Sequence, residues 1–200
     1  MRRSFMILGC ALTLAPLAAC LEPPATAKPA AAPLSFAKAA PIYLAVSSIK
    51  VVDEYHSPAG AVEEKFSTTP AEAMHQWIKE RLRPVGNDRI LEVIIKDANV
   101  KATPLAPQAQ GIQAPFTDEQ AARYDARLLV EMRVYGDQPM SEASLHVEAT
   151  RFDTLPESAS PAARKALYNR MVKELMEAAN AELEKEIYQY FSNYVTYPTE

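Results

Sequence analysis

The clearest pattern along the chain is an alternation: Tyr124, Ala126, Leu128, Val130, Met132 and Val134 interleave with Asp125, Arg127, Glu131 and Arg133. That is the period of a strand with one face on a core and the other in water. Gly136-Asp137-Gln138-Pro139 has turn chemistry, and beyond it Ala143, Leu145, Val147 and Ala149 alternate with Glu142, Ser144, His146, Glu148 and Thr150. The two runs predict an antiparallel hairpin. Upstream, the β-branched run from Ile42 to Val52 predicts a first strand. Its alternation slips at Ser47-Ser48, where a bulge would put Leu44 and Val46 on one face with Ile49 and Val51. A further strand is expected from Arg89 to Ala102, with Leu91, Val93 and Ile95 on one side.

Two stretches carry helical periodicity. Thr69-Pro70-Ala71-Glu72 has the form of a capping box with proline at the first helical position, and Met74, Trp77, Ile78 and Leu82 follow at helical spacing. This helix ends at the turn chemistry of Pro84-Val85-Gly86-Asn87, and a crossover of its length permits parallel pairing of the strands around it. Ser160-Pro161 opens a second helix, in which Leu167, Met171, Leu175, Ala178, Leu183, Ile187 and Phe191 form the apolar stripe. Run to about Asn193 it would be roughly 50 Å long, against roughly 20 Å for a typical strand. Either it kinks, or its aromatic end projects past the sheet. The expected fold is α+β: a single small sandwich in βαβββα order, with a four-stranded mixed sheet and two helices on one face.

The first 41 residues read differently. Met1-Arg2-Arg3 is a positive n-region, the run from Phe5 to Leu17 is apolar, and Ala18 and Ala19 are small, which is the pattern of an export signal. The apolar run is too short to span a bilayer. Residues 21–41 are Ala, Pro and Lys with five prolines and almost no large apolar side chain, a composition that buries too little surface to fold. The chain therefore divides into a leader (1–19), a tether with its cysteine (20–41) and one domain (42–200), which is a size that supports a real core.

Composition narrows the chemistry. The chain carries 21 Lys and Arg against 25 Asp and Glu for a net charge of -4, with no basic cluster, which argues against nucleic acid as partner. Its two cysteines are Cys10, inside the leader, and Cys20, so the domain has no disulfide, thiol nucleophile or cysteine zinc site. Five glycines in separate places give no phosphate loop. His56, His75 and His146 lack paired ligand spacing, and no Gly-x-Ser-x-Gly elbow occurs. Glu63-Glu64, Asp118-Glu119 and Glu182, Glu184 and Glu186 read as solvated surface. No catalytic residue, metal or cofactor is implied, and the expectation is a non-enzymatic protein.

Two features are candidate partner surfaces. Residues 103–122 form a long Pro-, Gln- and Ala-rich connection with a lone Phe116, which either docks into the core or belongs to a binding loop. Tyr188, Tyr190, Phe191, Tyr194 and Tyr197 crowd the chain's end. They either close the core or form an interface, since such rings serve both protein interfaces and membrane boundaries.

Leu17-Ala18-Ala19-Cys20 resembles the lipobox of bacterial lipoproteins. The resemblance implies that Cys20 receives diacylglycerol and a fatty acid such as palmitate, then becomes the first residue. Leu21, where the enterobacterial inner-membrane retention signal has aspartate, favours the outer membrane. The anchor, the tether and the order of elements together resemble Gram-negative envelope auxiliary lipoproteins of lipopolysaccharide assembly or of ABC-type phospholipid transport. That implies a periplasmic adaptor module with a protein partner in the envelope, held to the membrane by its lipid anchor. A membrane-tethered hydrolase or small lipid carrier, with a site assembled from distant residues, is the alternative.

Overall fold

The computed structural model describes residues 34–106 and 120–197. The order is β1 (Ile42–Leu44), β2 (Ser48–Asp53), α1 (Pro70–Arg81), β3 (Leu82–Pro84), β4 (Ile90–Asp97), β5 (Val100–Pro104), β6 (Gln120–Tyr135), β7 (Ser141–Pro156), α2 (Pro161–Tyr190) and β8 (Val195–Thr196), with a 3-10 turn at Glu63–Lys65. The α+β class stands, with both helices against one sheet face.

The expected four-stranded sheet becomes one of five strands, with a second, three-stranded sheet in the order β3-β1-β8. The fifth strand arises from a break. β4 and β5 both pair antiparallel with the same edge of β6, β4 along residues 129–135 and β5 along 122–126. Between them the register skips at Ile95/Asp97, and the Asp97 carboxylate accepts the Asn99 amide at 3.2 Å. The main sheet is thus four strands wide, with β2 parallel to β4 at one edge and β7 antiparallel to β6 at the other.

The slip at Ser47-Ser48 proves larger than a bulge. β1 stops at Leu44, the Val46 amide turns back onto the Leu44 carbonyl at 2.8 Å, and the Ser47 amide donates to the Arg89 carbonyl at 2.6 Å. One apolar run therefore serves two sheets. Leu44 and Val46 are buried, and Ile49 and Val51 pack on the same core, so the four side chains do share one interior. Gly86 makes this jog possible, because a Cβ there would sit 2.6 Å from the Val46 nitrogen, against the Ala45–Val46 backbone.

Both helix starts follow the sequence. Thr69 accepts from the Glu72 amide at 3.2 Å while its own amide donates to the Glu72 carboxylate at 2.8 Å. Ser160 accepts from the Ala163 amide at 3.1 Å, with Pro161 next. The inward residues of β6 meet those of α1 and α2 in one core, where Met74, Trp77, Leu91, Val93, Met132, Leu175, Met176 and Leu183 are fully buried.

α2 does not overhang. Its 30 residues run about 45 Å at 1.5 Å each. β6 and β7 have 16 residues apiece, about 50 Å at roughly 3.3 Å each. The strands are far longer than usual, and the long hairpin carries the long helix.

Two polar positions and one apolar position depart from their expected surroundings. Glu63, expected at the surface, is buried because its carboxylate accepts from the Ser57 hydroxyl and the Val100 amide. Arg81 is buried between the helices. The wet sheet face carries a lattice of ion pairs, Lys50 with Glu92, Lys96 with Glu54 and Glu131, and Glu131 with Arg133. Ile94 lies on that side of β4 and is nevertheless only 1 % exposed.

Candidate functional site

The surface that sequence reasoning missed lies on the helix-free side of the sheet, toward the end remote from the β6–β7 turn. There β5, β6 and β7 form an open depression of about 610 Å³, lined by Lys101, Arg123, Asp125, Arg127, Thr150, Arg151 and Phe152, with Asn99 and Pro58 at its border. The strands place these groups directly. Lys101 pairs with Asp125 across β5 and β6, and Asp125 with Phe152 across β6 and β7.

The four cations are not equivalent. Arg127 is fixed, donating to Glu148 at 2.8 Å and Asp97 at 2.7 Å, and these bonds hold its guanidinium above its ordinary value, Glu148 contributing most. Glu148 is held in turn below the usual carboxylate range by Arg127. Arg123 is tied to Asp125 at 2.7 Å and lies 4.3 Å from the centre of the Phe152 ring. Lys101 and Arg151 meet no carboxylate among the described residues; Arg151 donates only to the neighbouring Thr150 carbonyl at 2.9 Å. Arg151 pairs with the inward-facing Ala126 and so belongs to the other face of β7, and on the helix-free face the depression offers one uncommitted cation, Lys101, and an aromatic ring that is 65 % exposed and oriented by an arginine.

A signal for this site exists in the sequence. The alternation of β7 ends at Ala149, and Thr150, Arg151 and Phe152 are three exposed residues in a row. Phe152 falls at a position of polar parity, where an apolar ring is out of pattern. Exposed Arg and aromatic side chains in one concave patch are the composition that dominates binding interfaces.

The aromatic end of the chain divides. Phe191 is fully buried. Tyr194 is structural: its hydroxyl donates to Glu142 at 3.2 Å, its ring meets Phe191 edge-on at 6.1 Å, and Arg89 lies 5.6 Å from its centre. Arg89 also donates to Glu142 at 2.7 Å, so one hub ties the end of α2, the start of β7 and the entry to β4. That arginine keeps the Glu142 carboxyl below its ordinary value, while burial raises the Tyr194 hydroxyl. Tyr188, Tyr190 and Tyr197 are exposed, as are Val85, Ile90 and Met140. Cys20 and Phe116 lie outside the described residues.

Among the described residues no group of three or more His, Cys, Asp or Glu side chains is arranged to hold a metal ion. His75 faces Asp53 at 3.0 Å in an exposed pair. No helix among them is long and apolar enough to cross a membrane.

No family model matches the chain, and no curated protein does. Among solved structures, a minor lipoprotein of Acinetobacter baumannii is similar at a TM-score of 0.39 and 9 % identity, over 78 % of this chain and 99 % of that one. Rare lipoprotein B of Shewanella oneidensis gives 0.29 and 14 %, over 70 % and 98 %. A protein of Xanthomonas campestris gives 0.27 and 8 %, over 71 % and 98 %.

Proposed function

We propose that the protein is a lipid-anchored module of the bacterial cell envelope, held by Cys20, that acts by binding a protein partner of envelope assembly or lipid transport. The observation that carries the binding role is the depression on the helix-free sheet face, with Lys101 uncommitted and Phe152 exposed beside Arg123. It is open and carries charged side chains, whereas pockets for small apolar ligands are largely enclosed and lined mostly by apolar side chains. The surface fits a partner segment that carries carboxylates near an apolar or aromatic side chain. The anchor rests on Leu17-Ala18-Ala19-Cys20 behind its apolar run, and Leu21 favours the outer membrane.

A photo-crosslinking residue in place of Phe152, in the full chain expressed in its membrane, is expected to capture one reproducible protein. The same residue at Ser144, on the same face nearer the turn, is expected to capture less of it. Equal capture at both positions, or none at 152, would sink the binding role. Cys20→Ala is expected to abolish incorporation of labelled palmitate and release the protein from membranes, which reads the anchor separately.

A further inference from the structure

The end of the domain opposite the depression carries its own chemistry. Ile90 pairs with both Ser48 and Tyr135, so the start of β4 lies beside the β6–β7 turn. The Arg89–Glu142–Tyr194 hub brings the end of α2 to the same place. Around that hub the exposed large apolar and aromatic side chains are Val85, Ile90, Met140, Tyr190 and Tyr197, the last two being 54 % and 75 % exposed. They come from four separate parts of the chain, and none closes the core. Lys38, Lys79 and Arg83 are also exposed toward this end and meet no carboxylate among the described residues. Its acidic groups include Asp88, committed to Arg89, and the exposed Asp137.

The chain enters the fold near this end. The Leu34 carbonyl accepts from Gln76 at 2.6 Å, and the Phe36 amide donates to Glu80 in the last turn of α1. Gln76 stands five residues before the helix's final Arg81, about 8 Å along the axis. Thirteen residues separate Cys20 from Leu34. Arg127 and Thr150, at the near edge of the depression, are about ten residues of strand beyond the turn, roughly 30 Å.

We propose that this end rests on the bilayer surface, with Tyr190, Tyr197 and Met140 in the headgroup layer and Lys38, Lys79 and Arg83 facing anionic lipid. Tyrosine suits that layer because the ring is apolar and the hydroxyl remains hydrated. Each cation close to an anionic surface adds attraction that salt screens. The inference rests on the anchored reading of Cys20. It makes the anchor and the domain surface act together: one acyl-bearing cysteine brings the domain close, and the aromatic end fixes its orientation, turning the depression away from the membrane.

The test uses the full lipidated chain in vesicles of phosphatidylethanolamine and phosphatidylglycerol, with an environment-sensitive fluorophore at M140C, at Y197C or, as control, at S144C. Emission is expected to shift to the blue at 140 and 197 and to stay unshifted at 144, and the shift is expected to shrink in vesicles of phosphatidylcholine alone. Unshifted emission at 140 and 197 in chains that float with the vesicles overturns the proposal. A blue shift at 140 or 197 that grows with protein concentration without lipid assigns the surface to a second copy and also overturns it. The anchor is read apart from this contact: C20A protein, which carries no lipid, is expected to keep a weaker shift at 197 at high lipid concentration and to lose it several-fold in Y190S. A C20A chain with no shift at any lipid concentration counts against the contact, whatever the fate of the anchor.

Discussion

Trp77 and Arg81 stand one turn apart on the buried side of α1, and their partners Asn180 and Glu184 stand one turn apart on α2. The indole donates to the Asn180 amide oxygen at 2.7 Å and the guanidinium to Glu184 at 2.8 Å, so two polar contacts cross a helix interface that is otherwise apolar. Arg81 is 2 % exposed and its Nε has no hydrogen-bond partner among the described residues. A buried charge held by one carboxylate is costly to strand and cheap to replace as a pair. Glu184→Ala is therefore expected to destabilise by about 1–3 kcal/mol, the range for leaving a buried donor unmet. Arg81→Met, which removes the charge and keeps the volume, is expected to stay within roughly 1 kcal/mol of the wild type. Denaturant titration of the two variants decides, and a larger loss for Arg81→Met would show that the pair is a net stabiliser. Gly86→Ala is expected to cost about 1–3 kcal/mol by crowding, since its Cβ would meet the backbone of Ala45 and Val46. Neither requirement was visible in the sequence: Gly86 reads as an ordinary turn residue, and Arg81 as the basic end of a helix.

At the scale of elements, the segment before β1 shows how docking overrides composition. Residues 34–41 belong to the Pro- and Ala-rich stretch expected to remain a tether, yet Phe36 is buried and Leu34 packs on the core. Glu80 is the latch. It accepts from Gln76 at 3.0 Å, from the Ser35 hydroxyl at 3.1 Å and from the Phe36 amide. These bonds, that from Gln76 foremost, hold its carboxyl below the ordinary value of 4.5. A depressed carboxylate contributes stability that is present above its unfolded value and is lost as pH falls through the folded one. The segment is therefore expected to stay docked at neutral pH and to loosen only below about pH 4.5. Hydrogen exchange of the Phe36 amide checks this. It is expected to speed up on acidification in the wild type and to be fast and nearly pH-independent, once the intrinsic rate is removed, in Glu80→Ala. Retained protection in Glu80→Ala would mean that Phe36 burial alone holds the segment.

The legible elements were those whose local signals agree with their tertiary setting. The caps at Thr69 and Ser160 and the alternation of β6 and β7 are local chemistry, and they appear in the fold as read. The split of the first strand, the pairing of β8 with β1 and the break between β4 and β5 are decided by contacts with distant residues, Arg89, Tyr194 and the long edge of β6 among them. Strand length was the other gap, because Arg123 and Arg151 to Asp153 extend the hairpin with side chains that carry no apolar alternation.

The domain has a direction: the exposed tyrosines and the segment from Leu34 lie at one end, and the depression with Phe152 lies toward the other. The chain is acidic overall, with a net charge of -4, so attraction of a carboxylate-bearing partner depends on a local exception to that field rather than on the total. Lys101 is that exception on the helix-free face, since Arg123 and Arg127 are already committed to carboxylates. Lys101→Gln is accordingly expected to reduce partner recovery by about fivefold, as the loss of one contact of about 1 kcal/mol would. Unfolding stability should change by no more than about 0.5 kcal/mol, because the side chain is exposed and makes no ion pair to lose. The residual recovery should depend less on salt than that of the wild type, because screening acts on the attraction that this group supplies. Recovery that is unchanged at low salt would move the binding surface elsewhere on the domain. Recovery that falls only together with stability would make the residue structural. Recovery that falls with stability intact assigns the depression its role and places the partner on the side of the sheet that the helices leave open.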